Sequence, residues 1–273
     1  MQVVFLWIGL VFYGLGTFLL VPSVLKRRPL ISAASLTALG LGLLAHGSSI
    51  AVQAVRIHRL PVIDVRSALS VYAFLVTLAF FLLYLRYRRT SLGLFMLPMV
   101  FVLTLISALR PERPFDSSAF RGGWLAVHIV ASILGYTGFF LTFVAAVIYL
   151  IQEKGLKAKT PGTFYGRLPP LELCDEIYYR SLLTGLPLLT IGIMTGFVWA
   201  SRTWKGPWEL DPKIILSMVT WLIYLVLFSV RVSGAWSGRR AAYFAILGFV
   251  TLMVTFVGIS LVSGPHGYAP TLR

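Results

Sequence analysis

Eight runs of predominantly apolar residues set what this chain can fold into. They cover roughly 2–22, 30–54, 67–87, 92–109, 123–151, 181–200, 214–232 and 241–263. Each is close to the ~20 residues that a helix needs to cross a bilayer. In hydrocarbon the backbone N–H and C=O groups must be satisfied within the protein, which a helix does inside a single segment. The sequence therefore predicts an all-α integral membrane protein with eight transmembrane helices, 1–273 forming one membrane domain. Only 12% of the residues are charged, about half the usual share in soluble proteins.

The links between the runs carry the charge. The first run has no basic residue ahead of it and Lys26-Arg27-Arg28 behind it. A cleaved signal peptide carries its charge first, so this reads as a first span with the N-terminus outside. Of the 24 Lys and Arg residues, fourteen follow spans 1, 3, 5 and 7, and ten lie on the other side. By the positive-inside rule this split favours both termini on the extracytoplasmic side. The net charge of +15 sits in short clusters between apolar runs. That is the pattern of topology signals and lipid contacts, not of nucleic-acid binding.

Parity adds more than charge. With eight spans, the segments after even-numbered spans and both termini share one face, whichever way the chain inserts. His58, the start of span 5 with His128, the link Trp204-Lys-Gly-Pro-Trp208-Glu-Leu-Asp211-Pro-Lys213 and the tail with His266 all fall there. Trp7, Trp124 and Trp199 lie near the same face, and Trp236 lies on the other. The 204–213 link has two tryptophans four residues apart around a Gly-Pro, an amphipathic flap that can offer indole faces to a flat apolar ligand. An ordinary aromatic belt has the same composition.

Four histidines remain to be placed. His128 sits about a turn and a half into span 5, with Trp124, Ser132 and Gly135 on its face, a face of small and polar residues that points into a bundle. His266 lies in the Gly-Pro-His-Gly-Tyr tail. His46 shares a stripe with Ser35, Gly42, Ser49 and Gln53. Each is either a ligand for haem or a metal, or a hydrogen-bonded interfacial or packing residue. His58 reads as solvated. Zinc lacks an HExxH motif, a cysteine pair and suitably spaced carboxylates. All nine acidic residues fall in links or at span ends, which leaves the interiors unsuited to carrying protons or cations.

Over residues 120–270 the chain resembles the cytochrome c assembly family of haem-handling membrane proteins, of the CcsA, ResC and CcmC type. The resemblance runs through Leu168-Pro-Pro-Leu-Glu-Leu-Cys-Asp-Glu-Ile-Tyr-Tyr-Arg180, then Gly185–Ala200, the tryptophan link, Thr220–Tyr224, Gly238–Ala242, Thr255–Gly258 and the His266 tail. Residues 1–110 match loosely, through Leu44-Ala-His46 and Gln53–Pro61. Against the family's tryptophan-rich "WWD" loop, Trp204, Trp208, Asp211, Pro212 and Lys213 match. Lys205 replaces a Gly, Pro207 an aromatic, Leu210 and Leu216 two further tryptophans, and Ile214 a Glu. Ser229 stands where some members carry an intramembrane haem histidine.

The resemblance implies haem of b type, held non-covalently at the outer face under that loop between two axial histidines, His128 and His266. The implied cofactor-binding set is His128, His266, Trp204, Trp208, Asp211 and Trp124, with His46 as a candidate for a second site. It also implies delivery to apocytochrome c beside a ResB-like membrane partner, in a lipid bilayer. The lone cysteine, Cys174, excludes covalent haem attachment through CxxCH. No nucleophile or acid–base pair stands near the implied site, so binding and presentation are expected and turnover by this chain alone is not. A HemX-like role in regulating tetrapyrrole synthesis and a structural membrane subunit without haem are the alternatives. The segment 152–180 is expected to be a linker, or else a docking surface.

Overall fold

The computed structural model describes residues 1–26, 28–58, 60–62, 64–110, 123–158, 162, 164–203, 211–235 and 238–258. Its helices are α1 (Gln2–Lys26), α2 (Pro29–Ile57), α3 (Val65–Tyr87), α4 (Gly93–Leu109), α5 (Gly123–Lys157), α6 (Leu171–Thr203), α7 (Pro212–Val232) and α8 (Arg239–Met253), the last continued by a π-helical turn at Val254–Gly258. All eight expected spans are helices long and apolar enough to cross a membrane, and the chain is a multi-pass membrane protein.

The chain divides into two compact units, where the sequence reading treats 1–273 as one domain. The first comprises Met1–Ser117 with Gln152–Pro170, and the second Ser118–Ile151 with Leu171–Arg273. One boundary, between 117 and 118, falls within the stretch that separates the loosely matching part from the strongly matching one; the other two enclose residues 152–170.

In the first unit, small residues bring α1 and α2 into backbone contact. A Cβ at Gly9 would lie 3.2 Å from the Gly42 carbonyl, and a Cβ at Gly42 would lie 3.3 Å from the Gly9 carbonyl. Without water, packing of this kind is a main source of helix association in a membrane. Hydroxyls fasten the pair: Ser35 Oγ donates to Gly16 O at 2.7 Å and Ser49 Oγ to Gln2 O at 2.9 Å. The start of α3 is a capping box between Asp64 and Ser67. Next to it Arg66, counted above among the link charges, is buried. Its Nε donates to Ser107 O at 2.9 Å, and Ser107 Oγ returns a bond to Arg66 O at 3.0 Å.

In the second unit, a Cβ at Gly138 would lie 2.9 Å from the Gly185 Cα, so α5 and α6 touch through their main chains. Phe139 stacks on Tyr224 of α7 with ring centroids 3.6 Å apart, and Phe143 on Phe249 of α8 at 4.4 Å.

The segment 152–180 is not a linker throughout. Residues 152–157 continue α5, and α6 begins at Leu171, ten residues earlier than the apolar run suggested. Cys174, Ile177, Tyr178 and Ser181 are buried at i, i+3, i+4 and i+7, the period of an amphipathic helix. Glu176 and Arg180 on the polar face are an i,i+4 pair at 2.8 Å.

Candidate functional site

The described part of the expected site lies in the second unit, along the seam between α5 and α6. The His128 ring is half-buried, and its Nδ1 lies 2.6 Å from the carbonyl oxygen of Gly192. A carbonyl only accepts, so Nδ1 carries the proton and donates it. The imidazole is thereby held in one tautomer and one orientation. Nε2, the remaining lone-pair nitrogen, has no partner among the described residues. Thr195 Oγ1 donates chiefly to Ile191 O at 2.7 Å and lies 3.1 Å from the Gly192 carbonyl.

Two glycines make room for this arrangement. A Cβ at Gly196 would stand 2.6 Å from His128 Nδ1 and 2.8 Å from its Cε1. A Cβ at Gly192 would stand 2.5 Å from Ser132 Oγ and 3.1 Å from its backbone nitrogen. Any larger residue at either position would displace the ring or part the helices. Sequence reasoning assigned no role to Gly192 or Gly196. Their i,i+4 spacing on α6, opposite the His128–Ser132 spacing on α5, is the signal that locates them.

Trp124 lies one turn before His128 and is 45% exposed, with the Arg202 guanidinium 5.9 Å from its ring centre. Asp211 is buried and caps α7, accepting from the Lys213 backbone nitrogen at 2.8 Å, with Pro212 at the first helical position. An Asp cap followed by Pro is a strong helix start, so Asp211 sets where the tryptophan link ends and α7 begins. Lys213 lies in the first turn of α7, directly after that cap. Trp204, Trp208 and His266 lie outside the described residues.

His46 belongs to the first unit and is fully buried. Its Nε2 is 2.8 Å from Ser70 Oγ and its Nδ1 is 3.3 Å from the Tyr13 hydroxyl, with Tyr13 and Phe74 edge-on to the ring. Both nitrogens are engaged within the protein. His58 is an exposed residue in left-handed conformation (φ 53°) at the end of α2. Ser229 bonds back to Leu225 O of its own helix at 2.8 Å.

The motif around Cys174 also acquires a physical role. Arg231 of α7 pairs with the Asp175 carboxylate, and its guanidinium lies 5.9 and 5.8 Å from the ring centres of Tyr178 and Tyr179. Tyr178 donates to Ala241 O of α8 at 3.3 Å. The motif joins α6 to α7 and α8 at the end of the unit opposite His128.

Comparison with known proteins gives a consistent result. Residues 35–266 match the model of a family described as Cytochrome C assembly protein. Among curated relatives, a cytochrome c biogenesis protein CcsA of Guillardia theta is 28% identical over 214 residues, covering 70% of this chain and 71% of the relative. The CcsA of Prochlorococcus marinus (strain MIT 9312) is 31% identical over 55% of both chains. That of Chlamydomonas reinhardtii is 31% identical over 55% of this chain and 42% of its own length. The chain thus spans about half the length of several of these relatives.

Proposed function

The chain belongs to the cytochrome c assembly protein family, and from that premise we propose that it binds haem at the outer membrane face for delivery to apocytochrome c. The observation that carries the proposal is the His128 imidazole. Its Nδ1–H is fixed on the Gly192 carbonyl, and Nε2 is left as a lone-pair donor. Histidines that ligate iron generally have their other nitrogen held in this way, which fixes the tautomer and raises the ligand's basicity.

His128 supplies one axial nitrogen and His266 the other. Arg202 and Lys213 offer positive charge to the propionates, in charge-assisted contacts. Trp124, Trp204 and Trp208 exclude water from the ring, and Asp211 anchors the link that carries two of them. When bound, haem supplies an iron whose potential and access are set by bis-histidine ligation. His46 stands outside this site as a packing residue, because its two nitrogens are already engaged. A ResB-like subunit is the proposed partner, the bacterial inner membrane the proposed location, and both termini lie outside.

Absorption spectra of the purified protein titrated with haem test the reading. A low-spin Soret and α-band signature is expected, lost in His128→Ala and in His266→Ala. An unchanged spectrum in both variants refutes the site. If haem binds but deleting the gene alters haem precursors and spares c-type cytochromes, the regulatory role replaces delivery.

A further inference from the structure

The first unit contains a cavity of about 320 Å³ that the proposed haem site does not use. It forms where the end of α1, the start of α2, the α3–α4 link and the 3₁₀ turn at Tyr165–Arg167 meet. Arg28, Arg88, Arg89 and Arg167 all line it, and no acidic side chain does. No described carboxylate pairs with any of the four. One wall is the first turn of α2, Pro29 and Ser32, which has no acidic residue and no side-chain cap. The partial positive charge of that helix end adds to the field of the guanidiniums. Four like charges around one concavity repel each other unless an anion neutralises them.

Ser23 points to a ligand independently. It lines the cavity and is only 5% exposed, yet its Oγ has no hydrogen-bond partner among the described residues. Thr77, Thr104 and Thr142, also buried in helices, bond back to the carbonyl four residues earlier. A buried hydroxyl left unpaired is costly, and a ligand oxygen in the cavity would remove that cost.

We propose that this cavity binds a phosphate group, either the headgroup of an anionic phospholipid or a free phosphate-bearing solute. Guanidinium forks match phosphate oxygens in pairs, and Ser23 Oγ donates a further bond. At the small end of ligand cavities, the space suits a headgroup or a small solute. All the lining residues come from links after odd-numbered helices or from the helix ends beside them. Occupancy would therefore tie α1, α2, the α3–α4 link and the 166–167 turn together.

The test uses the full chain purified in phosphorus-free detergent, with thermal stability and native mass spectrometry as readouts. Three probes are compared: short-chain phosphatidylglycerol, short-chain phosphatidylcholine and inorganic phosphate. Phosphatidylglycerol is expected to bind and raise Tm if the source is lipid, with phosphatidylcholine much weaker. Inorganic phosphate does so instead if the source is a solute. The double variant Arg28→Gln/Arg89→Gln should bind the active probe at least tenfold more weakly, while Arg110→Gln, outside the cavity, should match the wild type. Ser23→Ala gives a second signature: a higher Tm without probe, and binding weakened several-fold. The proposal is overturned if no probe binds, if the two arginine variants behave alike, or if Ser23→Ala lowers Tm and leaves binding unchanged.

Discussion

Replacing Gly196 with alanine adds one methyl group directly against the His128 ring. The new carbon would sit 2.6 Å from Nδ1 and 2.8 Å from Cε1, where carbon contacts are ordinarily ~3.5 Å or more. The ring must therefore retreat by roughly 0.8 Å. The 2.6 Å bond to Gly192 O would then stretch to at most about 3.4 Å, past the useful range of ~2.7–3.2 Å for N–H···O. Losing that bond costs ~0.5–1.5 kcal/mol and overpacking ~1–3 kcal/mol, so a loss of about 2–4 kcal/mol is expected.

The effect on haem should be larger than on an average site, because a ligand whose second nitrogen is no longer held loses about 10- to 100-fold in metal affinity. Thermal unfolding in detergent and haem titration followed at the Soret band measure the two effects. The decisive comparison repeats Gly196→Ala in a His128→Ala background. There the methyl meets empty space, and the stability penalty should fall below ~1 kcal/mol, with helix propensity favouring alanine. An equal penalty in both backgrounds would refute the packing argument. Unchanged haem affinity in the single variant would refute the link from Gly192 through His128 to the iron.

Asp211→Ala removes the α7 cap and should cost about 0.5–2 kcal/mol, while Asp211→Asn should cost much less; paired melting curves show whether capping or charge matters. Gly138→Ala drives a carbon to 2.9 Å from the Gly185 backbone and should destabilise by ~1–3 kcal/mol. Gly40→Ala, whose added carbon meets only the Phe81 ring edge at 3.9 Å, should be neutral or stabilising in the same melts. For Arg231 and Asp175, whose side chains are 14% and 38% exposed, a double-mutant cycle with Arg231→Gln and Asp175→Asn should give a coupling of only about 0.5–1 kcal/mol, falling as salt is added. His46→Ala opens a cavity and strips Ser70 of its partner, so ~2–4 kcal/mol of stability should be lost. The haem spectrum should be unchanged, and its loss would bring His46 back as a ligand.

All eight helices were legible because a bilayer leaves one solution to a 20-residue apolar run. The start of α5 was legible from its apolar run, whereas α7 begins two residues before its run, at the Asp211-Pro212 helix signal that the sequence reading left inside the tryptophan link. The start of α6 was not. Hydropathy averages over both faces, and Glu172, Asp175, Glu176 and Arg180 masked the buried stripe of Cys174, Ile177, Tyr178 and Ser181. A period-sensitive reading of 171–181 would have found it. Arg66 was misread for a related reason. Counting it as a link charge ignores that Ser107, 41 residues away, offers it a carbonyl, and nothing local in the sequence announces that partner.

The two membrane histidines show where sequence reading stops and geometry takes over. His46 and His128 each lie on a stripe of small and polar residues, and each was left open between ligand and packing residue. What separates them is the partner of the second nitrogen. Around His46 two hydroxyls approach both ring nitrogens, and aromatic edges close the remaining space. Around His128 a backbone carbonyl takes one nitrogen, and Gly196 keeps the ring free of side-chain contact at that position. A carbonyl cannot donate, so it forces the lone pair onto the far nitrogen, whereas a hydroxyl can adapt to either tautomer. The chemical difference between the two imidazoles, and with it the proposed assignment of one as packing residue and the other as ligand, therefore resides in Gly192 and Gly196 on α6, two residues with no side-chain chemistry of their own.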